Sequence, residues 1–205
     1  MSLTHALLGV LSAEPMSGYD LLRQFDASVG WVWSASNGQL YPELRKMEAE
    51  GLIRGDVEIR GTKLQKRVYS ITEAGEEELQ RWLSEPFELR APRDPVSLKA
   101  VFVDMEDNAA AREHYRAHRD AMQKRLIDLE TKVAMIEARE APLLRVRLAR
   151  SPKPAQDRMV ALKAHAFRRM AALARAEIRW AEEGLALLDE VPQRGAYVTR
   201  VTGYR

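Results

Sequence analysis

Apolar positions recur along this chain with a helical period for most of its length, and the interruptions mark where elements end. Leu3, Ala6, Leu7, Val10 and Leu11 fall at i, i+3, i+4, i+7 and i+8, which predicts a short helix packed on one side, with Ser2 as its cap and Pro15 beyond its end. Ser17-Gly18-Tyr19-Asp20 has the Ser-x-x-acid form of a capping box ahead of Leu21, Leu22 and Phe25, a second helix. Leu40, Leu44 and Met47 share one face of a third helix that begins near Asn37 and stops at Gly51-Leu52-Ile53. Pro42 removes a bond to the Gly38 carbonyl, so that helix is expected to have an irregular or late first turn. Two short β-prone runs follow, Val57-Glu58-Ile59 and Val68-Tyr69-Ser70-Ile71, on either side of Gly61-Thr62-Lys63. Thr72 then caps a fourth helix with Glu73, Glu76, Glu77 and Glu78 in its first turns, Leu79, Trp82 and Leu83 as its stripe, and Pro86 as its stop.

The second half begins after Pro86, Pro92 and Pro95 and reads as long helices. Leu98, Val101, Phe102 and Met105 mark a short amphipathic helix, and Asn108 is the expected cap of a long one running to about Glu140, before Pro142. Tyr115, Met122, Leu129 and Ile136 recur every seventh residue, with Leu126 and Val133 between them, a coiled-coil seam. After Pro152 and Pro154 the same period appears in Met159, Ala166, Leu173, Trp180 and Leu187, on a helix about 50 Å long. Such a pair has too little fold of its own to cover both seams. A second copy of the chain is expected to complete the bundle, in preference to a self-sufficient hairpin.

Three helices, a basic two-stranded excursion and a new helix start are the pattern of a winged helix-turn-helix, and the third helix carries its chemistry. Opposite Leu40, Leu44 and Met47 lie Gly38, Gln39, Pro42, Arg45 and Lys46, with Tyr41 at the edge. Gln reads adenine through two hydrogen bonds, Tyr bonds a phosphate or packs on a base edge, and Arg and Lys neutralise phosphates. The candidate DNA-binding residues are therefore Asn37, Gln39, Tyr41, Pro42, Arg45 and Lys46 on the helix, with Lys63, Lys66, Arg67 and Tyr69 on the wing.

Three stretches together resemble the PadR family of bacterial transcriptional regulators. They are Pro15-Met16-Ser17-Gly18-Tyr19-Asp20-Leu21, then Gly38-Gln39-Leu40-Tyr41-Pro42-Glu43-Leu44 with Gly51-Leu52-Ile53, and then Tyr69-Ser70-Ile71-Thr72-Glu73-Ala74-Gly75. They cover roughly the first 85 residues, in family order and spacing. The resemblance implies a mainly α fold with a small β wing: an N-terminal winged helix-turn-helix over 1–85, a linker over 86–95, a long-helix dimerisation domain over 96–190 and a tail over 191–205. It also implies a repressor whose operator overlaps a promoter. Double-stranded DNA and a second copy are the expected partners. The dimer contacts fall on Tyr115, Met122, Leu126, Leu129, Val133, Ile136, Leu173, Trp180 and Leu187.

Charge sharpens this picture and removes others. Residues 1–90 hold 10 Lys and Arg against 14 Asp and Glu, but within 45–67 the count is 7 basic against 4 acidic, a local positive strip where phosphate would lie. With no cysteine, disulfides and thiolate metal sites are excluded, and a reducing cytoplasm suits the chain. The first apolar run is amphipathic and short, neither a signal peptide nor a membrane span. His114 and His118 have metal-ligand spacing but lack further ligands, and no triad, carboxylate pair or phosphate loop is present, so neither metal, cofactor nor enzymatic activity is expected. Trp31, Trp33 and Trp82 are candidates to line a pocket for a small aromatic effector, as some relatives bind phenolic acids; the competing reading makes them core residues. A second functional class stays open at this point, a winged helix used for protein interaction on a coiled-coil scaffold.

Overall fold

The first apolar stripe is wound into α1 (Leu3–Leu11) in a computed structural model that describes residues 3–33, 35–60, 64–86 and 94–191. The helix is enclosed more widely than one stripe would require, because Leu8 is as fully buried as Leu7 and Val10. The expected cap, Ser2, lies outside the described residues. Met16 and Ser17 form a short strand β1 (Met16–Ser17) that leads directly into α2 (Gly18–Ser28), whose cap is the Ser17 hydroxyl accepting the Asp20 N–H at 3.2 Å.

The third helix, α3 (Asn37–Ala49), starts where expected and runs through Pro42 without a break, so the irregular first turn is not found. Pro42 is exposed, as is Gly38, so the lost bond to the Gly38 carbonyl falls on the side of α3 away from the core. Gly51, at φ +75°, ends the helix in the left-handed conformation that a side chain would strain. The chain then enters β2 (Ile53–Arg60) and returns along β3 (Leu64–Ile71), both longer than the apolar runs alone indicated. The sheet is antiparallel with order β1-β3-β2, and its register pairs Met16 and Gly55 with Tyr69, and Ile53 with Ile71. α4 (Glu73–Ser84) is capped by Thr72, which accepts the Gly75 N–H at 3.1 Å and donates to the Gly51 carbonyl at 2.7 Å. Gly75 is required there, since a Cβ would lie 2.1 Å from the Leu52 carbonyl oxygen. Leu83 is 59% exposed, so the apolar stripe of α4 is Leu79 with Trp82 alone.

Chain order and domain order part company in the second half. After α5 (Pro95–Val101), a 3-10 turn (Val103–Met105) and α6 (Asn108–Glu137), a helix absent from the expectations appears, α7 (Pro142–Ala149). Asp107, not Asn108, caps α6. Arg139, at φ 61°, turns the chain out of it. The chain divides into one unit of Met1–Leu89 with Pro142–Pro152, and a second of Arg90–Ala141 with Lys153–Arg205. The continuous second domain expected over 96–190 is thus interrupted: Leu143 and Val146 of α7 join the winged-helix core, with Leu7, Leu11, Phe25, Leu40, Leu44 and Met47.

The second unit is an antiparallel hairpin of α6 against α8 (Lys153–Glu190). At about 1.5 Å per residue, the 38 residues of α8 span about 57 Å. On α6 the expected seam is the one turned inward: Leu129 and Ile136 are fully buried, and Tyr115, Met122, Leu126 and Val133 are half-buried. On α8 it is not. The buried positions are Ala164, Phe167, Ala171, Ala174 and Ala181, with Ile178 half-buried, a 3-4 repeat one residue beyond the expected stripe. One residue is about 100° of rotation. Leu173 and Leu187 therefore remain 50% and 56% exposed, Ala166 is exposed, and Met159 and Trp180 are half-buried. Alanines take the contact because they let the larger side chains of α6 approach the α8 backbone closely. Register is marked by His118 with Glu177 at 3.0 Å, Arg112 donating to the Leu188 carbonyl at 3.0 Å, and the pairs Arg175 with Glu130 and Arg168 with Glu137. No helix among the described residues is long and apolar enough to cross a membrane.

Candidate nucleic-acid interface

The face of α3 opposite the core is built from the same residues that its period selects. Leu40, Leu44 and Met47 are wholly buried, while Gly38, Gln39, Tyr41, Pro42, Arg45 and Lys46 are exposed. Glu43 accepts a hydrogen bond from the Thr4 hydroxyl of α1, a tie between the first and third helices. Arg45 has no acid partner among the described residues. Lys46 has only long contacts, 3.8 Å to Glu43 and 3.9 Å to Glu50, so both cations are available to an outside anion. Gln39 is partly committed, because its Oε1 accepts the Ser36 N–H at 3.0 Å and thereby closes the helix start. Tyr41 is held in place from α2: a Cβ on Gly18 would come within 2.9 Å of the Tyr41 ring, so the glycine is what admits the ring.

The wing is organised differently from the expectation. Strand alternation puts Arg67, Tyr69 and Ile71 on one face and Lys66 and Val68 on the other. Tyr69 is accordingly 7% exposed and belongs to the core, which corrects its assignment as a surface contact. The Arg67 guanidinium lies over that ring at 5.8 Å and donates to both oxygens of Glu48, at 2.6 and 2.7 Å. Glu48, near the end of α3, also accepts the Gly55 N–H at 3.1 Å. A Cβ on Gly55 would fall 2.5 Å from Arg67 Nε and 2.7 Å from Glu48 Oε1, so the glycine leaves the space in which this pair forms. The bond to Glu48 raises the pKa of Arg67. Arg67 is therefore bound to α3 rather than presented freely.

On the outer face Lys66 donates to Asp20 at 2.8 Å, and the Ser17 hydroxyl donates to the same carboxylate at 2.7 Å. These two hydrogen bonds, Lys66 first, hold the Asp20 carboxyl below its usual range. Lys63 lies outside the described residues, and Asn37 begins α3. Glu48 and Gly55 are not singled out by the sequence reading, and Asp20 and Gly18 enter it only through the helix cap and the family stretch, not as parts of this interface. The glycine inside a strand run was the available signal, since such glycines mark close approach.

The tryptophans proposed for an effector divide. Trp33 packs against the winged-helix core, and Trp82 stacks on the His5 ring at 4.8 Å with planes 16° apart, while His5 bonds Glu78 at 2.9 Å. Trp31 is half-buried. Packing thus occupies Trp33 and Trp82, in line with the core reading. His114 and His118, four apart on α6, belong to separate contacts: His118 with Glu177, and His114 with Lys99 at 3.5 Å.

Comparison with known proteins places this geometry in a family. Residues 7–81 match the model of the transcriptional regulator PadR-like family. A negative transcriptional regulator, PadR of Bacillus subtilis, is 34% identical over 143 residues, covering 69% of this chain and 78% of the relative. The crystal structure of Bacillus subtilis PadR in complex with operator DNA superimposes with a TM-score of 0.71 at 28% identity, over 91% of this chain and 97% of that one. The same protein in complex with p-coumaric acid gives a TM-score of 0.67 at 26% identity, over 92% and 96%.

Proposed function

The chain belongs to the PadR-like family of transcriptional regulators, which are not enzymes, and from that premise we propose that it is a dimeric repressor binding an approximately palindromic operator in the cytoplasm. The observation that carries the reading is the exposed face of α3, where two available cations flank a glutamine and a buttressed tyrosine. Arg45 and Lys46 neutralise phosphates and set affinity; Gln39, Tyr41 and Pro42 meet the groove and set sequence preference. Arg67 acts through Glu48 to fix the base of the wing, and Lys66 sits beside Asp20 as a secondary phosphate contact.

The second copy docks on the second unit, where Leu162, Leu173 and Leu187 of α8 and Ile127 of α6 are each at least half-exposed. An isologous pair presents two α3 helices to successive major-groove turns, about 34 Å apart. A small aromatic effector shifts the dimer away from the operator-binding arrangement, as the relative crystallised with p-coumaric acid suggests by analogy.

Fluorescence anisotropy of labelled DNA from upstream of the protein's own coding sequence, against scrambled DNA at two salt concentrations, tests this. Tight, sequence-dependent and salt-sensitive binding is expected. Arg45→Ala with Lys46→Ala should weaken both DNAs and flatten the salt slope, whereas Gln39→Ala or Tyr41→Ala should erode the difference between them. Binding as the parent does in all three variants would refute the docking face.

A further inference from the structure

The helix inserted between α6 and α8 carries a side chain to the start of the helix-turn-helix. Arg150, just past the end of α7, donates from its guanidinium to the backbone carbonyl of Ala13, a residue 137 positions earlier in the chain. Ala13 lies beyond the end of α1 and is 1% exposed, so its carbonyl needs a partner within the protein, and a guanidinium supplies the stronger, charge-assisted kind. The arginine is itself held. Leu143 and Val146 of α7 pack on the winged-helix core, and the Arg150 and Ser151 N–H groups donate to the Arg147 and Leu148 carbonyls at 3.3 and 3.1 Å.

From Ala13 the chain runs stiffly to the surface proposed to face DNA. Pro15 fixes its own φ and disfavours the helical region for Glu14. Met16 and Ser17 are buried and paired with Tyr69 and Val68 of β3. Gly18 follows at once. A Cβ there would lie 2.9 Å from the Tyr41 ring, so the place of the ring on α3 depends on where the Gly18 backbone runs. The same segment reaches the wing, because the Ser17 hydroxyl donates to the Asp20 carboxylate that also takes Lys66. With a proline and a paired strand between them, a displacement at Ala13 is passed on to Gly18 rather than absorbed along the way.

We infer that Arg150 is a positioning residue for operator reading: through the Ala13 carbonyl and β1 it sets Gly18, and through Gly18 it sets the Tyr41 ring. The inference rests on the proposed reading of the α3 face and adds to it a residue from outside the winged helix-turn-helix sequence. Without the guanidinium the Ala13 carbonyl is left unpaired, and the segment shifts to find another donor or water. The affinity carried by Arg45 and Lys46 on phosphates is not at stake. The effect therefore falls on sequence preference, which the ring at the groove helps to set, and not on general affinity.

Operator anisotropy on the full-length protein, with Arg150→Met and Arg150→Lys beside the parent, tests the assignment together with NMR spectra of the DNA-free proteins. Met keeps the aliphatic stem and removes the donors, whereas Lys keeps a charge and a shorter donor. Arg150→Met should lower the preference for operator over scrambled DNA by about threefold to tenfold. It should leave scrambled DNA bound as by the parent and keep the parental salt slope, since no phosphate contact is lost. In the free protein the Gly18 amide and Tyr41 ring signals should move, and Arg150→Lys should bring signals and preference part of the way back. Parental preference in Arg150→Met would overturn the assignment. Weakening of both DNAs with a flatter salt slope would also do so, by making Arg150 a phosphate contact, and parental Gly18 and Tyr41 signals beside a lowered denaturant midpoint would reduce its role to stability. A parent that does not distinguish the two DNAs would sink the reading of the α3 face instead, and the Gly18 and Tyr41 signals would still decide whether Arg150 sets them.

Discussion

The two units solve burial in opposite ways. The winged-helix unit turns its large aliphatic and aromatic side chains into one closed core, where Leu7, Leu8, Val10, Leu21, Phe25, Leu40, Leu44 and Met47 have no exposed surface. The helical unit closes on alanines, fully burying Leu129 and Ile136 while Leu98, Val101, Phe102, Met105, Ile127, Leu162, Leu173, Leu187 and Val191 stay at least half-exposed. A residue in the first unit is therefore chiefly a matter of folding. One in the second is chiefly a matter of what is bound against it.

The largest effect that would break this contrast is a pair of equal truncations. Leu44→Ala removes a wholly buried side chain and should cost about 2–5 kcal/mol, read as a shift of the denaturant midpoint at constant slope. Leu173→Ala, half-exposed on α8, should leave helix content unchanged and instead lower the concentration-dependent part of stability, with sedimentation moving toward monomer. Equal losses at both positions would mean that the hairpin stands alone.

Next in size is the interruption of the second unit by α7. Leu143 is buried in the winged-helix core, and its helix belongs with the winged-helix unit. Leu143→Ala should cost about 2–4 kcal/mol, with hydrogen exchange accelerating in 3–86 more than in α6 or α8. Faster exchange confined to α6 and α8 would return α7 to the helical unit.

A smaller effect is distinguished by its sign. If Arg67 is a phosphate contact restrained by Glu48, then Glu48→Gln frees a cation, removes an anion, tightens DNA binding and steepens its salt dependence. If the pair fixes the wing over Gly55, the same change loosens the wing and weakens operator binding by about threefold to tenfold, since only one or two charged hydrogen bonds are exchanged for neutral ones. Weakening is the expected outcome. Tightening would restore Arg67 to the direct contacts.

The residues behind these predictions also show which parts of the molecule could be read from sequence. α3 was legible because its inward face is made of large apolar side chains at 3-4 spacing, and the outward face follows by rotation. α8 was misread by one residue because its contact face is alanine, which carries little hydrophobic weight, while its leucines face away. Tyr69 was assigned by residue type, although the two-residue period already grouped it with Ile71. α7 was missed for another reason. Eight residues between prolines contain no information about which of two cores will receive Leu143, Leu144 and Leu148. The pairing of Glu48 with Arg67 depends on the strand returning beneath the end of α3, a tertiary fact that no local spacing encodes.

The smallest effect concerns the other wing cation. Lys66 is the first cause of the lowered Asp20 pKa, ahead of Ser17. A carboxyl whose folded pKa lies below its unfolded value contributes stability above the unfolded pKa and loses it as pH falls through the folded one. Both groups are about one-third exposed, so solvent screens the pair and its share of stability is small. The pKa itself is the better readout. Lys66→Met should move the Asp20 carboxyl upward toward its ordinary value in an NMR titration, with the Ser17 bond holding it short of a full return. Because Lys66 is the cation nearest Asp20 on the outer face of the wing, DNA that takes Lys66 as a phosphate contact should raise the Asp20 pKa in the same direction. An Asp20 titration unchanged by saturating operator DNA would remove Lys66 from the interface and leave it, like Arg67, as a residue that holds the wing.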